Sequence, residues 1–389
     1  MILEFDNTAV AFEYKSDREL KKAHLLFSLI ESPWITRAGS ALTLQAIRWK
    51  LPITGIIKNT IFRQFCGGET LEEAALTADV LGKYGVGAIL DYGVEGKATE
   101  EDFDRAVPEF IKAIDCAASR KNIPFISLKV TGFASFGLLE KKHSGAELSD
   151  EEKAAWQRVI NRISTICEAA FQKQIKVLID AEETWIQEGI NELSDEMMMR
   201  FNRKTAIVYN TFQMYCHGTL PWLYAEIEKA STRGYILGAK LVRGAYMEKE
   251  RKRAQEMGYP SPIQPNKEAT DNDYNTGVAH CLQNLDKLAL FIGTHNEKSC
   301  ILAIQKMKEL GIHNQHPHVF FSQLYGMSDN ISFNLAHHQY NIAKYLPYGP
   351  VKDVVPYLLR RAEENTSVAG QTGRELSLLK KEIMRRKGH

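Results

Sequence analysis

Short apolar runs recur through the last three quarters of the chain, each closed by turn-forming or polar residues. They are GAILDYG (87–93), FISLKV (125–130), KVLIDAE (176–182), AIVYNTFQ (206–213), AKLVRGAY (239–246), LFIGTHN (290–296), VFFSQLYG (319–326) and NIAKYLPYG (341–349). Between them the pattern changes to one-sided helical periodicity, as in EEDFDRAVPEFIKAIDCAAS, EEKAAWQRVINRISTICEAAFQK, LPWLYAEIEKAST, NEKSCILAIQKMKEL and VVPYLLRRAEE. Strands that are apolar throughout, alternating with helices, predict a parallel sheet covered on both faces, and eight repeats predict closure into a (βα)8 TIM-like barrel. An open doubly wound sheet is the alternative, because alternation alone does not reveal closure. No G-x-G-x-x-G follows any strand, so that alternative lacks its usual dinucleotide fingerprint. The expected organisation is an N-terminal helical arm over 1–75 and the barrel over 76–389 with a C-terminal helix.

Composition adds exclusions. The 389 residues are 44% hydrophobic and 25% charged, with a formal net charge of +1, so no global field favours nucleic acid. Cys66, Cys116, Cys167, Cys216, Cys281 and Cys300 show no C-x-x-C spacing and read as free thiols of a reducing compartment. The N-terminal sequence has neither a signal-peptide apolar stretch nor a transit pattern, and no uninterrupted apolar run reaches the ~18 residues of a membrane span. A cytoplasmic protein is expected. His313, His316 and His318 form a tempting cluster, but Pro317 breaks their spacing and no carboxylate or cysteine adjoins them, so no metal is expected. Met197–Met199 read as helix core, and His337 and His338 as helix surface.

In a barrel, chemistry collects where strands end. The ends carry Asp91, Lys129, Asp180 with Glu182, Gln213, Lys240 with Arg243 and Tyr246, His295 with Asn296, Gln323, and Tyr345. A barrel with only a structural role does not need such a ring. After the last strand, Pro356 is expected to open a helix, which places Tyr357, Arg360, Arg361 and Glu364 on one face. That face reads either as a solvated side with an Arg360–Glu364 pair or as a clamp for a planar anion, which guanidinium forks match.

The motifs DAEE (180–183), NTFQ (210–213), KLVRGAY (240–246), THN (294–296), QLYGM (323–327), YLPYG (345–349) and YLLRRAEEN (357–365), in that order at successive strand ends, resemble the proline dehydrogenase family of flavoenzymes on a distorted barrel. The resemblance implies oxidation of L-proline to Δ1-pyrroline-5-carboxylate, with hydride passing to non-covalent FAD and electrons to a membrane quinone. It implies that Arg360, Arg361 and Lys129 grip the substrate carboxylate, and that Tyr345, Tyr357, Tyr246 and Leu324 wall its ring. Glu364 would hold an arginine in register. Asp180 belongs with these residues and also orients the flavin side, where Gln213, Lys240, Arg243, Gly244, Thr294, His295 and Asn296 correspond to positions contacting FAD. Many bacterial relatives have Arg where this chain has Lys240, so the hydrogen bonding there is expected to differ. A hydroxyproline-oxidising neighbour tends to have a smaller or polar residue at the position of Tyr345, so Tyr345 favours proline. No aldehyde-oxidising domain is evident, which leaves that step to a separate pyrroline-5-carboxylate dehydrogenase.

Two rival readings remain at this stage. Lys240 could be the Schiff-base lysine of an aldolase, which needs a desolvated amine, or the barrel could be an inactive scaffold. The segment 247–269 reads as a charged excursion before the helix that precedes the sixth strand. Arg37, Arg48, Lys50, Lys58 and Arg63 alternate with apolar stretches in an acid-free segment, which suits either peripheral attachment to the inner membrane face or an arm packed on the barrel.

Overall fold

The computed structural model describes residues 3–32, 54–93, 99–367 and 371–388. All eight apolar runs become strands: β1 Gly87–Tyr92, β2 Phe125–Leu128, β3 Lys176–Ile179, β4 Val208–Gln213, β5 Leu237–Val242, β6 Leu288–Gly293, β7 Val319–Leu324 and β8 Ile342–Tyr348. They close into a barrel in chain order. The helices are α1 Thr8–Ala11, α2 Asp17–Ile30, α3 Leu71–Gly82, α4 Glu100–Ala118, α5 Phe136–Ser144, α6 Asp150–Lys173, α7 Thr184–Phe201, α8 Thr219–Arg233, α9 Met247–Met257, α10 Lys267–Gln283, α11 Glu297–Glu309, α12 Asp329–His337, α13 Val351–Ser367 and α14 Gln371–Arg386, with a further helical run over 54–65. Many begin where the sequence supplies a cap. Ser16 and Ser149 form capping boxes, and Thr70, Thr99, Ser135, Asn266 and Asn296 accept first-turn N–H groups.

The chain divides into two compact units, 95–322 and the combination of 1–94 with 323–389. In the first, β2 to β7 pair in parallel, with Phe125 opposite Lys176, Lys240 opposite Phe291 and Gly293 opposite Ser322. Phe125 meets Tyr209, Phe291 and Phe320 edge-on at centroid distances of 5.8, 5.1 and 4.9 Å. Phe125 opens β2, Lys176 opens β3, and the Lys176 ammonium lies 5.3 Å from the Phe125 and Phe320 centroids. This aromatic layer fills the strand starts and leaves the strand ends for polar groups.

In the second unit β1 pairs with β8, Ile89 opposite Tyr345. Its core joins Phe12, Leu20, Phe27, Phe62, Phe65, Val354, Tyr357, Leu358, Leu378 and Leu379, so α2, α13 and α14 share one apolar interior. One expectation needs correction. Helix α13 begins at Val351, and Pro356 lies inside it. Pro350 marks the start, its carbonyl accepting from Asp353 and Val354; the missing N–H of Pro356 costs one bond in the second turn. The segment 247–269 leads into α10, and within it 247–257 forms α9 and Ile263 bridges back to Cys216.

Among the described residues no helix is long and apolar enough to cross a membrane. Arg37, Arg48 and Lys50 lie outside the described residues, whereas Lys58 pairs with Glu69.

Candidate active site

Asp180 is the first residue past β3, and its N–H donates to the Leu128 carbonyl at 2.9 Å, fixing the carboxylate at the strand end. Its two oxygens take two lysines, Lys129 Nζ at 3.0 Å and Lys240 Nζ at 2.6 Å. Lys240 stands on β5, two strands from β3, so the pair spans β4 through the barrel interior. The sequence reading assigned Lys129 to the substrate and Lys240 to the flavin. The structure joins both to one carboxylate.

The residues after Asp180 organise the neighbouring strand ends. Glu182 accepts the Thr131 N–H at 3.1 Å and its hydroxyl at 2.7 Å, holding the short turn that follows Lys129. Burial pushes the Glu182 carboxyl up to about 7, against the Thr131 hydrogen bonds. The Glu182 carbonyl accepts from Gln213 Nε2 at 2.7 Å, which orients that amide.

A second constellation forms around Arg243. Its Nε donates to Asp271 at 2.7 Å, Nη1 to Thr294 at 2.8 Å and Nη2 to Ser299 at 2.9 Å, and the guanidinium lies 4.3 Å from the Tyr274 ring centroid. Burial acts to raise the Asp271 carboxyl, but hydrogen bonds from Lys267 and Arg243 hold it below the usual carboxylate range. Thr294 also accepts the Asn296 N–H at 3.1 Å, and Asn296 caps α11 through Lys298 and Ser299. Half-buried His295 sits between them.

Gly244 has φ +141, and a Cβ there would meet the Tyr215 ring at 2.4 Å. Glycine is required on both counts. The Tyr215 hydroxyl accepts the N–H of Tyr246 at 3.3 Å. Tyr215, Asp271, Ser299 and Glu250 were missed by the sequence reading. The signal for Glu250 was its i, i+4, i+8 spacing with Tyr246 and Ala254, a single acid on that face of a strongly charged helix.

In the other unit, Tyr345 on β8 and Tyr357 on α13 are buried, and Leu324 at the end of β7 packs against the shared core. Tyr357 and Arg361 share a helix face as their spacing required, the guanidinium 5.2 Å from the ring centroid and the arginine only 8% exposed. Arg360 is half-buried. The side chain of Glu364 lies outside the described residues. His313, His316 and His318 fall in the approach to β7, and the described residues contain no group of three or more His, Cys, Asp or Glu placed to hold a metal ion.

A family model described as proline dehydrogenase matches residues 74–374. The carbapenem antibiotics biosynthesis protein CarD of Pectobacterium carotovorum subsp. carotovorum is 34% identical over 83% of this chain and 83% of its own. The hydroxyproline dehydrogenase of Xenopus laevis is 31% identical over 99% of this chain and 90% of its own. Among solved structures, proline utilization A from Bdellovibrio bacteriovorus inactivated by N-propargylglycine superposes with a TM-score of 0.73 at 19% identity; the match covers 95% of this chain and 40% of that one, which supports the fold.

Proposed function

Because the chain belongs to the proline dehydrogenase family, we propose that it oxidises L-proline to Δ1-pyrroline-5-carboxylate, using non-covalent FAD and delivering electrons to a membrane quinone. The observation that carries this reading is Asp180 held between Lys129 and Lys240 inside the barrel, at the strand ends where barrel enzymes keep their chemistry. Such an ion pair is not the apolar pocket that a Schiff-base lysine needs, which disfavours the aldolase reading.

The donor set suits the cofactor. Arg243 and the N-terminal end of the 13-residue helix α11 present positive charge fitting a pyrophosphate, while Lys240, the Gln213 amide, Gly244, Thr294, His295 and Asn296 fit a flavin with its ribityl chain. When bound, FAD supplies the acceptor for the hydride leaving the ring carbon next to nitrogen. The chain's own residues bind and orient. Arg360, Arg361 and Lys129 take the carboxylate, and Glu364 holds an arginine in place. Tyr345, Tyr357, Tyr246 and Leu324 contact the pyrrolidine ring and exclude water. Asp180 fixes both lysines, so that Lys129 faces the substrate and Lys240 the flavin.

Hydroxyproline is the second reading, favoured by the Xenopus relative. The bulk of Tyr345, rather than a smaller or polar residue, argues for the unsubstituted ring. A pyrroline-5-carboxylate dehydrogenase is the class of enzyme that would consume this product. An absorption spectrum of the purified protein, taken before and after anaerobic L-proline or trans-4-hydroxy-L-proline, tests the proposal. Bleaching of a flavin band by proline first is expected. A colourless protein that stays inactive after FAD reconstitution refutes it, and faster bleaching by hydroxyproline transfers the assignment to that substrate.

A further inference from the structure

Helix α9 follows directly on Tyr246 and is held at three points. Glu250 is wholly buried and accepts both the N–H and the hydroxyl of Thr184 at 2.7 Å each. The first turn of α7 is thus bonded by a carboxylate from another helix, while the residue in its own cap position, Glu183, makes no capping bond. Lys249 pairs with Glu183 at 2.8 Å. Arg253 pairs with Glu140 of α5 and lies 4.6 Å from the Trp185 ring centroid. At the near end of α9, the Glu250 N–H donates to the Tyr246 carbonyl at 2.9 Å and the Tyr215 hydroxyl takes the Tyr246 N–H.

Helix stability does not require this arrangement. Glu248, in the same first turn, stays in water, where an acid serves the helix dipole without desolvation. Burying a carboxylate costs free energy unless its bonds are well made, and burial raises the Glu250 pKa. What Glu250 adds is a fixed connection between α7, which leaves the Asp180–Glu183 segment, and the turn carrying Tyr246.

We propose that Glu250 is a positioning residue that sets the affinity for the substrate ring by clamping α9 onto the start of α7 and so fixing Tyr246. The inference rests on the reading of Tyr246 as a wall of the substrate pocket. The clamp makes both bonds to Thr184, and the contacts of Lys249 and Arg253 follow from its placement.

The test uses the full-length flavin-loaded protein with Glu250→Gln, Glu250→Ala and Thr184→Val. Two quantities are read: steady-state KM and kcat for L-proline, and hydrogen exchange of the 247–257 amides. Loss of charge-assisted hydrogen bonds predicts that Glu250→Ala raises KM about tenfold or more with kcat changed less than about twofold. Glu250→Gln, which keeps one acceptor oxygen, should fall between Ala and wild type. Exchange over 247–257 should rise in the same order while β2 to β5 stay protected. Thr184→Val should produce part of the Glu250→Ala effect, and the two together less than their sum. If Glu250→Ala does not fold, Glu250→Gln and Thr184→Val decide. Faster exchange over 247–257 with an unchanged KM, or unchanged exchange in every variant, overturns the proposal. A wild-type protein that does not turn over proline overturns the functional reading instead, and the exchange result then judges the clamp by itself.

Discussion

Each unit buries an aspartate between two lysines, and the two groups differ in how they are enclosed. In the 95–322 unit Asp180 takes Lys129 and Lys240 at 3.0 and 2.6 Å, with side-chain exposures of 14% for Lys129, 11% for Asp180 and 9% for Lys240. In the other unit Asp329 takes Lys344 at 2.8 Å and Lys15 at 3.6 Å, with Lys344 fully buried and Asp329 4% exposed. A glutamate accompanies each: Glu182 holds the turn after Lys129, and Glu375 accepts the N–H of Ser328, which sits in the left-handed region at φ +51. Both carboxyls are pushed up to about 7 by burial. The second group has its further bonds closed by the protein itself, since Lys344 also donates to the Met327 carbonyl and Asp329 accepts the Tyr14 hydroxyl at 2.8 Å. It fastens β8, α12, the turn after α1, and α14 together. Successive strand residues face opposite ways, so the strand that sends Lys344 to α12 turns Tyr345 toward the barrel interior. The same charges serve cohesion on the outer face of a strand and, in the proposed function, ligand binding at the strand ends. Position along the barrel decides the role.

The sharpest way to break the comparison is to remove each aspartate. Asp329→Asn leaves Lys344 buried without its counter-charge, which costs about 3–5 kcal/mol. Denaturation should show a large loss of stability, and KM for proline in the surviving folded protein should stay near wild type. Asp180→Asn leaves two lysines repelling each other at the strand ends, and kcat/KM should fall roughly 100-fold, or about 2.7 kcal/mol, with a smaller change in stability. If Asp180→Asn unfolds the protein and Asp329→Asn abolishes turnover without destabilising it, the assignment of roles is inverted.

The difference between the two groups also marks what the sequence could reveal. Strand ends were legible because each apolar run stops at a polar residue, and Lys129, Asp180, Gln213 and Arg243 follow from that rule, whereas Lys240 stands inside β5. Eight strands were legible for the same reason, although closure needed the structure because alternation does not encode which strand pairs with which. Lys344 lies inside NIAKYLPYG, away from the polar end of the run, although a lysine in an apolar strand next to Tyr345 points to a buried partner. Asp329 and Glu375 could not be matched to it, since their approach comes from packing α12 and α14 rather than from local spacing. Pro356 misled because a proline that can open a helix can also lie in its second turn when Pro350 has already started it. Glu250 was hidden among the charges of MEKERKRAQEM, most of which stay in water.

The glutamates sharpen the comparison through pH. The Glu375 carboxyl lies near 7 in the folded protein against an ordinary value of 4.5. Between those values the native state holds a proton that the unfolded chain has released, so stability falls as pH rises from about 4.5 to about 7 and stays lower above. Glu375→Gln keeps an acceptor for the Ser328 N–H and removes the titration, which should stabilise the protein at pH 8 by on the order of 3 kcal/mol relative to wild type and leave the two alike near pH 4.5. Asp329 acts in the opposite direction: burial favours raising it, but Lys344 and Lys15 hold it below its usual range, so its contribution is lost only as pH falls through that lowered value. Chemical denaturation at pH 5 and 8 checks the first window. A stabilisation by Glu375→Gln that is equal at both pH values would show that Glu375 stays in one protonation state across the range.

The outer lysines give the finest comparison. Lys15 stands 3.6 Å from Asp329 with an 11% exposed side chain, while Lys344 already neutralises that carboxylate at 2.8 Å. A second, longer, partly hydrated ion pair contributes little, so Lys15→Met should cost about 1 kcal/mol in stability and leave proline kinetics alone. Lys129 holds the same place in the other group, at 3.0 Å with 14% exposure, but it is the first residue past β2, at the strand ends. Lys129→Met should leave stability nearly unchanged, because Lys240 still neutralises Asp180. Its KM for proline should rise about 10-fold or more, the loss of one charged hydrogen bond to the substrate carboxylate. Measuring both variants for denaturation midpoint and KM separates the two lysines by a crossed pattern, with stability moving in one and affinity in the other. If Lys129→Met instead loses stability as Lys15→Met does and binds proline normally, the lysine belongs to the fold of its unit and not to the substrate.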